Sequence, residues 1–417
     1  MLKLRKLKAT LAVADAHSFA GAANLMNMSQ PAITRAVQSL EDELEIRLFY
    51  RKSRYSGLTE AGDILTRRIR RAQRNLKLAE SELQSLGAAP PGFRPSLAQH
   101  AADHEFAALL AIAARGSISA AARAVGPSQP ALNKSLKMLE NRTACLLFHR
   151  TSHGMRLTPA GEILLRRSKL ALSEIRQAVE EIAFLKGQGR GRIRVGALPL
   201  TRVRMVPRAV ETLVTHYPEA EIAIVDGTYE VLLHALNNGD IDILAGTIRK
   251  PALIDGLVSE ELFQDDVAIV ASATHPLATN PDCTLADCLN YDWILPFKGV
   301  PLRNKFEQTL ASVGLPAPTR IIEADSIVAV RSLLLSGPRL AILSRHQVHF
   351  EVSWGALAIL PVRLKDAMRP VGITTRGDFE PTPLAQVFLT ALREASLRYA
   401  APDAPGRLPQ EPTGFSA

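Results

Sequence analysis

Ser29-Gln30-Pro31-Ala32 returns as Ser128-Gln129-Pro130-Ala131, and the shift, 128 minus 29, is 99 residues. The same shift carries Ser18 to Ser117, Ala22-Ala23 to Ala121-Ala122, and Leu40-Glu41 to Leu139-Glu140. It carries Leu48-Phe49 to Leu147-Phe148, Leu58-Thr59 to Leu157-Thr158, and Ala61-Gly62 to Ala160-Gly161. Arg51 and Ser53 match Arg150 and Ser152, and even Arg67-Arg68 recur as Arg166-Arg167. No gap is needed. Two copies do not make a solenoid, so the repeat predicts a pair of domains.

Each copy reads as helix, tight turn, helix. In the first, Ser18 stands where a cap would, and a helix is predicted over about 19–26 with small Ala22 and Ala23 inviting close approach. Ser29 is expected to cap the next helix, with Pro31 in its first turn, where a missing N–H costs nothing. Ile33, Val37, Leu40 and Leu44 form one apolar stripe. Gln30, Thr34, Arg35 and Gln38 are left on the free face. Gln pairs bidentately with adenine and Arg with guanine, so this face suits a DNA major groove. The first turn, which opens Ser29-Gln30-Pro31, also offers the backbone N–H groups of its non-proline residues to phosphate. The basic turn Arg51-Lys52-Ser53-Arg54 reads as a wing beside the groove. In the second copy the corresponding residues are Ser128, Gln129, Pro130, Asn133, Lys134 and Arg150. Lysine there gives up arginine's fork.

The ordered motif comprises Ser-x-x-x-Ala-Ala at 18–23, Ser-Gln-Pro-Ala at 29–32 and Leu-Glu at 40–41. It continues with Leu-Phe-x-Arg at 48–51 and Leu-Thr-x-Ala-Gly at 58–62. It resembles the LysR-type transcriptional regulators. The resemblance implies a winged helix-turn-helix, a long linker helix that pairs with its twin in a second subunit, and a two-lobed α/β effector-binding domain like periplasmic binding proteins. This chain departs from the usual pattern by having the DNA-binding motif twice. It also has Glu45 and Ala144 near the helix ends where the family has a Leu-Gly pair. A left-handed residue there is strained without glycine, so both ends are expected to be remodelled.

The charge is unevenly placed. Residues 1–104 carry a net +6, residues 105–189 another +6, and residues 190–417 a net −3, within a total of +9. A phosphate-binding half joined to a non-binding half would look like this. Cys283 and Cys288 lack a second pair or histidines for zinc, so the three cysteines read as thiols of a reducing compartment. No metal or cofactor site is expected. Met1 to Ala16 mimics a signal peptide but fits the first helix of the first module better. No run reaches 18 apolar residues, so no membrane span and a cytoplasmic location are expected.

The expected order of domains is a winged helix-turn-helix over 1–60, a linker helix over 61–87 and a Pro-rich linker over 88–104. A second winged helix-turn-helix follows over 105–160, then a linker helix over 161–187 and a hinge at 188–191. The basic run Arg67-Arg68-Ile69-Arg70-Arg71 reads as a solvated helix face. The linker is expected to be extended, long enough to let the two modules of one chain sit on neighbouring half-sites. From Arg192, short apolar strands alternate with helices, which predicts α/β lobes with largely parallel sheets over 192–400. The resemblance places lobe I at about 192–271 and 362–400 and lobe II at about 272–361. The tail, 401–417, has four prolines and is expected to be disordered.

In open α/β sheets ligands lie beyond the carboxyl ends of strands. Thr201, Thr247, Ser326 and Ser344 occupy such ends and are candidate effector-binding residues, although each is as readily a helix cap. H-E-x-x-H, P-loop and G-x-S-x-G motifs are missing, and no catalytic residue is assigned. The function expected is therefore a sequence-specific, effector-controlled regulator bound to double-stranded operator DNA. It would act as a homo-oligomer and contact RNA polymerase if it activates. The alternatives are an architectural DNA binder without effector response and an enzyme built on the two-lobed domain.

Overall fold

The computed structural model describes residues 2–50, 57–87, 90, 92–249, 254–364 and 368–400. The expected wing residues Arg51, Lys52 and Arg54 and the tail 401–417 lie outside the described residues.

The first helical unit comprises α1 (Leu4–Ala16), α2 (Phe19–Met26) and α3 (Gln30–Leu44). The Ser18 hydroxyl accepts the Gly21 N–H at 3.0 Å and starts α2. Ser29 holds the cap position of α3, but its hydroxyl makes no capping bond and stays exposed. Ile33, Val37, Leu40 and Leu44 are buried, as their spacing predicts, and α3 packs on α1 and α2. Buried Glu41 accepts the Leu48 N–H and the Arg47 guanidinium, both at 2.8 Å, and so pins the chain leaving α3. The Thr59 hydroxyl caps α4 (Glu60–Ser85) through the Gly62 N–H at 3.1 Å. Gly62 has no room for a side chain, because a Cβ would lie 2.0 Å from the Leu48 carbonyl oxygen.

A short helix, α5 (Leu97–His100), precedes α6 (Asp103–Arg115), α7 (Ile118–Val125) and α8 (Gln129–Thr143). An antiparallel hairpin, β1 (Phe148–Thr151) with β2 (Gly154–Leu157), leads to α9 (Pro159–Leu185). The local contacts recur at the 99-residue shift. Ser117 accepts from Ala120, Glu140 from Leu147 and Thr158 from Gly161. A Cβ on Gly161 would lie 2.1 Å from the Leu147 carbonyl oxygen. One ion pair recurs with its signs exchanged: Lys6 with Glu43 becomes Glu105 with Arg142. The remodelled helix ends expected from sequence are not found. Glu45 (φ 54°) and Ala144 (φ 51°) keep the left-handed conformation without glycine. That costs roughly 1–2 kcal/mol each. The Glu41 and Glu140 bonds across the following turn hold the shape.

α4 and α9 pack antiparallel along their length. Arg68 is fully buried between them and donates to Glu181 at 2.7 Å, and to Glu174 and Gln177 at 2.8 Å each. The shifted positions make the reciprocal set. Arg167 donates to Glu82 at 3.1 Å and to Asn75 at 3.3 Å. Adding 99 to Arg68 gives Arg167, and adding it to Asn75 and Glu82 gives Glu174 and Glu181, so a pseudo-two-fold axis runs between the helices. The basic run is thus an interface in part, because Arg68 faces the partner helix rather than water.

Apolar residues from Leu7 to Ile182 form one continuous buried core, so the two helical units share a single body. The tether joins in it. Leu97, Ala98 and Ala101 are buried, Glu80 accepts the Leu97 and Ala98 N–H groups at 2.6 and 2.9 Å, and Lys8 donates to the Gln99 carbonyl. The freely extended linker expected over 88–104 is therefore corrected, since its second half is a wedge.

Two five-stranded sheets follow. The first has order β4-β3-β5-β12-β6. Its strands are β3 (Gly191–Ala197), β4 (Ala220–Val225), β5 (Ile243–Thr247), β6 (Leu257–Asp265) and β12 (Arg369–Arg376). The second has order β11-β7-β10-β8-β9. It contains β7 (Val267–Ser272), β8 (Asp292–Leu295), β9 (Ile321–Glu323), β10 (Arg339–Ser344) and β11 (Leu357–Ile359). Helices α10 (Pro199–Val203), α11 (Met205–His216), α12 (Tyr229–Asn237) and α17 (Pro383–Ala400) belong with the first sheet. The second has α13 (Leu285–Cys288), α14 (Pro301–Ser312), α15 (Ile327–Leu335) and α16 (His349–Ser353).

Two expectations change here. Only β3–β4, β3–β5, β8–β9 and β8–β10 pair in parallel, and the other four pairings are antiparallel. The strands that re-enter from the other lobe, β7 and β12, run against their neighbours. The first crossover also comes earlier than Ser272. β6 ends lobe I at Asp265, and β7 already pairs in lobe II. The second crossover lies between Ile359 and Arg369, as expected near Pro361.

Candidate nucleic-acid interface and effector cleft

On α3, packing of the apolar stripe leaves Ser29, Gln30, Pro31, Arg35 and Gln38 exposed and Thr34 half-buried. The Thr34 hydroxyl donates to the Gln30 carbonyl at 3.0 Å. On α8, Ser128, Gln129, Pro130 and Lys134 are exposed and Asn133 half-buried. There the Ser128 hydroxyl accepts the Ala131 N–H at 3.4 Å. α8 and the hairpin strand β1 enclose one concave surface, lined by Gln129, Asn133, Lys134, Lys137, Asn141 and Arg150. Each helix thus presents its sequence-predicted polar face outward, on a unit whose other side is locked into the shared core.

The four candidate effector residues divide. The Thr201 hydroxyl is buried and donates within lobe I, reaching the Ala245 carbonyl at 2.9 Å and the Leu198 carbonyl at 3.1 Å. Ser344 is fully buried, donates to Asp265 and accepts the His346 N–H at 3.1 Å. Ser344 fulfils the capping reading, whereas Thr201 lies inside α10 and caps nothing; the hydroxyls of both are already committed within the protein. α10 packs against the turn 345–348 that Ser344 caps, so lobe I meets lobe II at this junction. Ser326 stands at the start of α15, exposed, with no capping bond, and Thr247 is the half-buried last residue of β5.

Asp265 was not legible in the sequence. It is fully buried between the crossovers, accepting from Ser344 of lobe II and from Arg369 at 2.8 Å. Next to it Asp266 pairs with Arg345 at 2.6 Å. Both crossovers and the end of β10 are therefore tied to one carboxylate. Only the doublet Asp265-Asp266 before an apolar strand could have signalled it. Cys283 and Cys288 are buried with their sulfurs 3.9 Å apart, and burial pushes both thiols up, which keeps them protonated. Among the described residues no His/Cys/Asp/Glu group could hold a metal, and no single helix is long and apolar enough to cross a membrane.

Lobe I rests on the helix pair through basic side chains. Arg68 donates to the Glu380 carbonyl at 2.8 Å, Arg71 to the Asp378 carbonyl, and Arg67 and Arg71 both pair with the Glu380 carboxylate. Lys169 of α9 pairs with Asp240 at 2.8 Å. The loop before α17 is thus held by the same arginine that crosses the pseudo-two-fold axis.

Residues 4–63 and 104–162 match the bacterial regulatory helix-turn-helix protein, lysR family, and residues 186–397 match the LysR substrate binding domain. The HTH-type transcriptional regulator GalR of Pseudomonas putida is 30% identical over 391 residues, covering 94% of this chain and 96% of GalR. The HTH-type transcriptional regulator PcaQ of Agrobacterium fabrum is 32% identical over 286 residues, covering 68% of this chain and 92% of PcaQ. The solved structure of CbnR, a LysR family transcriptional regulator, shares the fold at TM-score 0.51 and 19% identity, over 70% of this chain and 98% of CbnR. These relatives are regulators and not enzymes. The protein is a DNA-binding transcriptional regulator with an effector-binding domain, and the chain belongs to the LysR family.

Proposed function

We propose that one chain carries two winged helix-turn-helix modules, 1–60 and 105–160, and presents α3 and α8 to the two half-sites of a single operator. The observation behind this reading is the reciprocal pairing of α4 with α9, in which Arg68–Glu181 and Arg167–Glu82 are related by the repeat. An interface of this form joins two copies across a two-fold axis. Here both copies belong to one polypeptide. Gln30, Thr34, Arg35 and Gln38 read base edges from the first module, and Ser29 with the first-turn N–H groups receives phosphate. Gln129, Asn133, Lys134 and Arg150 serve the second. The wing residues Arg51, Lys52 and Arg54 contact the flanking backbone.

The small-molecule effector binds between the lobes, near Thr247 and Ser326, while Thr201 and Ser344 act at the junction. Closure shifts the Asp378–Glu380 loop against Arg67, Arg68 and Arg71, and ligand affinity differs between the two states by the energy of that shift. The protein works in the cytoplasm and contacts RNA polymerase when it activates. Further association of chains into a homo-oligomer uses surfaces other than the occupied α4–α9 pair.

Light scattering of the protein bound to a duplex with one operator tests the reading. One chain for each pair of half-sites is expected. Two chains for each pair, each using one module, would overturn it.

A further inference from the structure

Resting on that reading, we infer that the operator is asymmetric, with base readout concentrated in the half-site under α3 and phosphate attraction in the half-site under α8. Two identical subunits reading DNA across a two-fold axis impose a palindrome. A single chain with two divergent copies does not, and the divergence here falls on the exposed faces.

The folded frame is held constant by the repeat. Glu41 and Glu140 make the same bond to the next turn, and Thr59 and Thr158 cap the same helix start. The outward positions differ. Thr34 becomes Asn133, Arg35 becomes Lys134 and Gln38 becomes Lys137. Further along, Asp42 becomes Asn141, Glu43 becomes Arg142 and Glu45 becomes Ala144. Over 30–45 the only base is Arg35, against Glu41, Asp42, Glu43 and Glu45, a net −3. Over 129–144 there are Lys134, Lys137 and Arg142 against Glu140 alone, a net +2. At equivalent places in one fold, α8 is thus five charges more positive than α3.

Charge and readout chemistry point the same way. Both helices keep a first-turn glutamine, Gln30 and Gln129, and α8 gains the amide of Asn133; α3 alone adds the guanidinium fork of Arg35 and the second glutamine, Gln38, where α8 has Lys134 and Lys137. Of the acids over 30–45, Glu41 is buried against Arg47 and the Leu48 N–H, Glu43 pairs with Lys6 and Glu45 with Lys186, so they are largely answered, and Arg35 is the one cation that α3 itself carries. Its hold on DNA therefore rests more on base fit than on charge. Lys134 and Lys137 are point charges on flexible stems, and with Arg150 they share one concave surface. Point charges bind phosphate without regard to sequence, and the affinity they give falls with salt.

Selection of binding sites from a random duplex pool, using the full chain, tests this directly. The expected result is one strongly and one weakly specified half-site. On the selected operator, scrambling the α3 half should cost about 100-fold or more in affinity and scrambling the α8 half about 10-fold or less. Arg35→Ala should lose about 10- to 100-fold and relax base preference in its own half. Lys134→Ala and Lys137→Ala should weaken all sequences alike, each lowering the salt slope by about one. A palindromic selected site with equal losses from either half, at one chain for each operator, overturns the inference and leaves the paired-module reading standing. A palindrome bound by two chains overturns that reading as well.

Discussion

At the scale of the residue, Arg68 carries the largest structural demand. It is wholly buried, and its guanidinium is divided among Glu174, Gln177, Glu181 and the Glu380 carbonyl. Removing one partner of a buried ion pair leaves an uncompensated charge and typically costs about 3–5 kcal/mol. Arg68→Ala, which leaves Glu174 and Glu181 unanswered, should lower unfolding stability by that order in a denaturant titration. Arg68→Lys should recover little, since a compact ammonium lacks the planar fork that spans these four acceptors. An unchanged midpoint in either variant would remove Arg68 from this role. The sequence placed Arg68 in a run of five residues with four arginines, where a solvated face was the simpler reading. The repeat held the missing signal, because Arg68 and Glu82 recur together as Arg167 and Glu181. The exposed faces of α3 and α8 were legible for the opposite reason. Helical spacing alone decides which side chains an apolar stripe leaves outside. Thr201 and Ser344 show the limit of that approach, because a hydroxyl at a strand end serves a ligand or a carbonyl equally well, and only packing decides.

At the scale of the element, α9 couples the helical body to lobe I through a titrating group. Glu180 sits near the start of β3, and burial raises its carboxyl to about 7, outweighing Arg176 3.2 Å away. A raised acid makes the folded state bind a proton more tightly than the unfolded chain, whose carboxyl titrates near 4.5. Its contribution to stability is therefore fully present below about 4.5 and is lost as pH rises toward about 7 and beyond. The loss is of order 3 kcal/mol. Thermal melts across this range should show Glu180→Gln closing the gap, with a gain over the parent at pH near 8 and little difference near 4.5. A gain independent of pH would show that Glu180 titrates normally. Elements with a clear period were readable from sequence, including α2 and the apolar stripe of α3. β6 was not, because it is an edge strand whose Ser-Glu-Glu core faces water and carries no apolar alternation. Missing it displaced the first crossover to Ser272.

At the scale of the whole molecule, the repeat was visible from the first comparison of 29–32 with 128–131, and it suggested that the two modules and linker helices of one chain pair with each other, but the contacts through which the copies meet were not legible. Tether length permits many arrangements. The choice among them comes from long-range packing of Leu97, Ala98 and Ala101 into the α4–α9 junction, which no local pattern encodes. The result places one effector domain on a body that carries both α3 and α8. Lys186 at the end of α9 reaches back to Glu45 at the end of α3, with 2.9 Å between charged atoms. Glu45 is held below the usual carboxylate range by that lysine's hydrogen bond. This contact reports on the central claim, that the two copies of one chain pair with each other. Carbodiimide joins a lysine to a carboxylate only when they touch. Isotope-labelled and unlabelled chains would be unfolded together, refolded as a mixture, cross-linked and digested. The account predicts Lys186–Glu45 links in which both peptides carry the same isotope. Links of mixed isotope, making up roughly half of the total as random pairing of two chains requires, would contradict it.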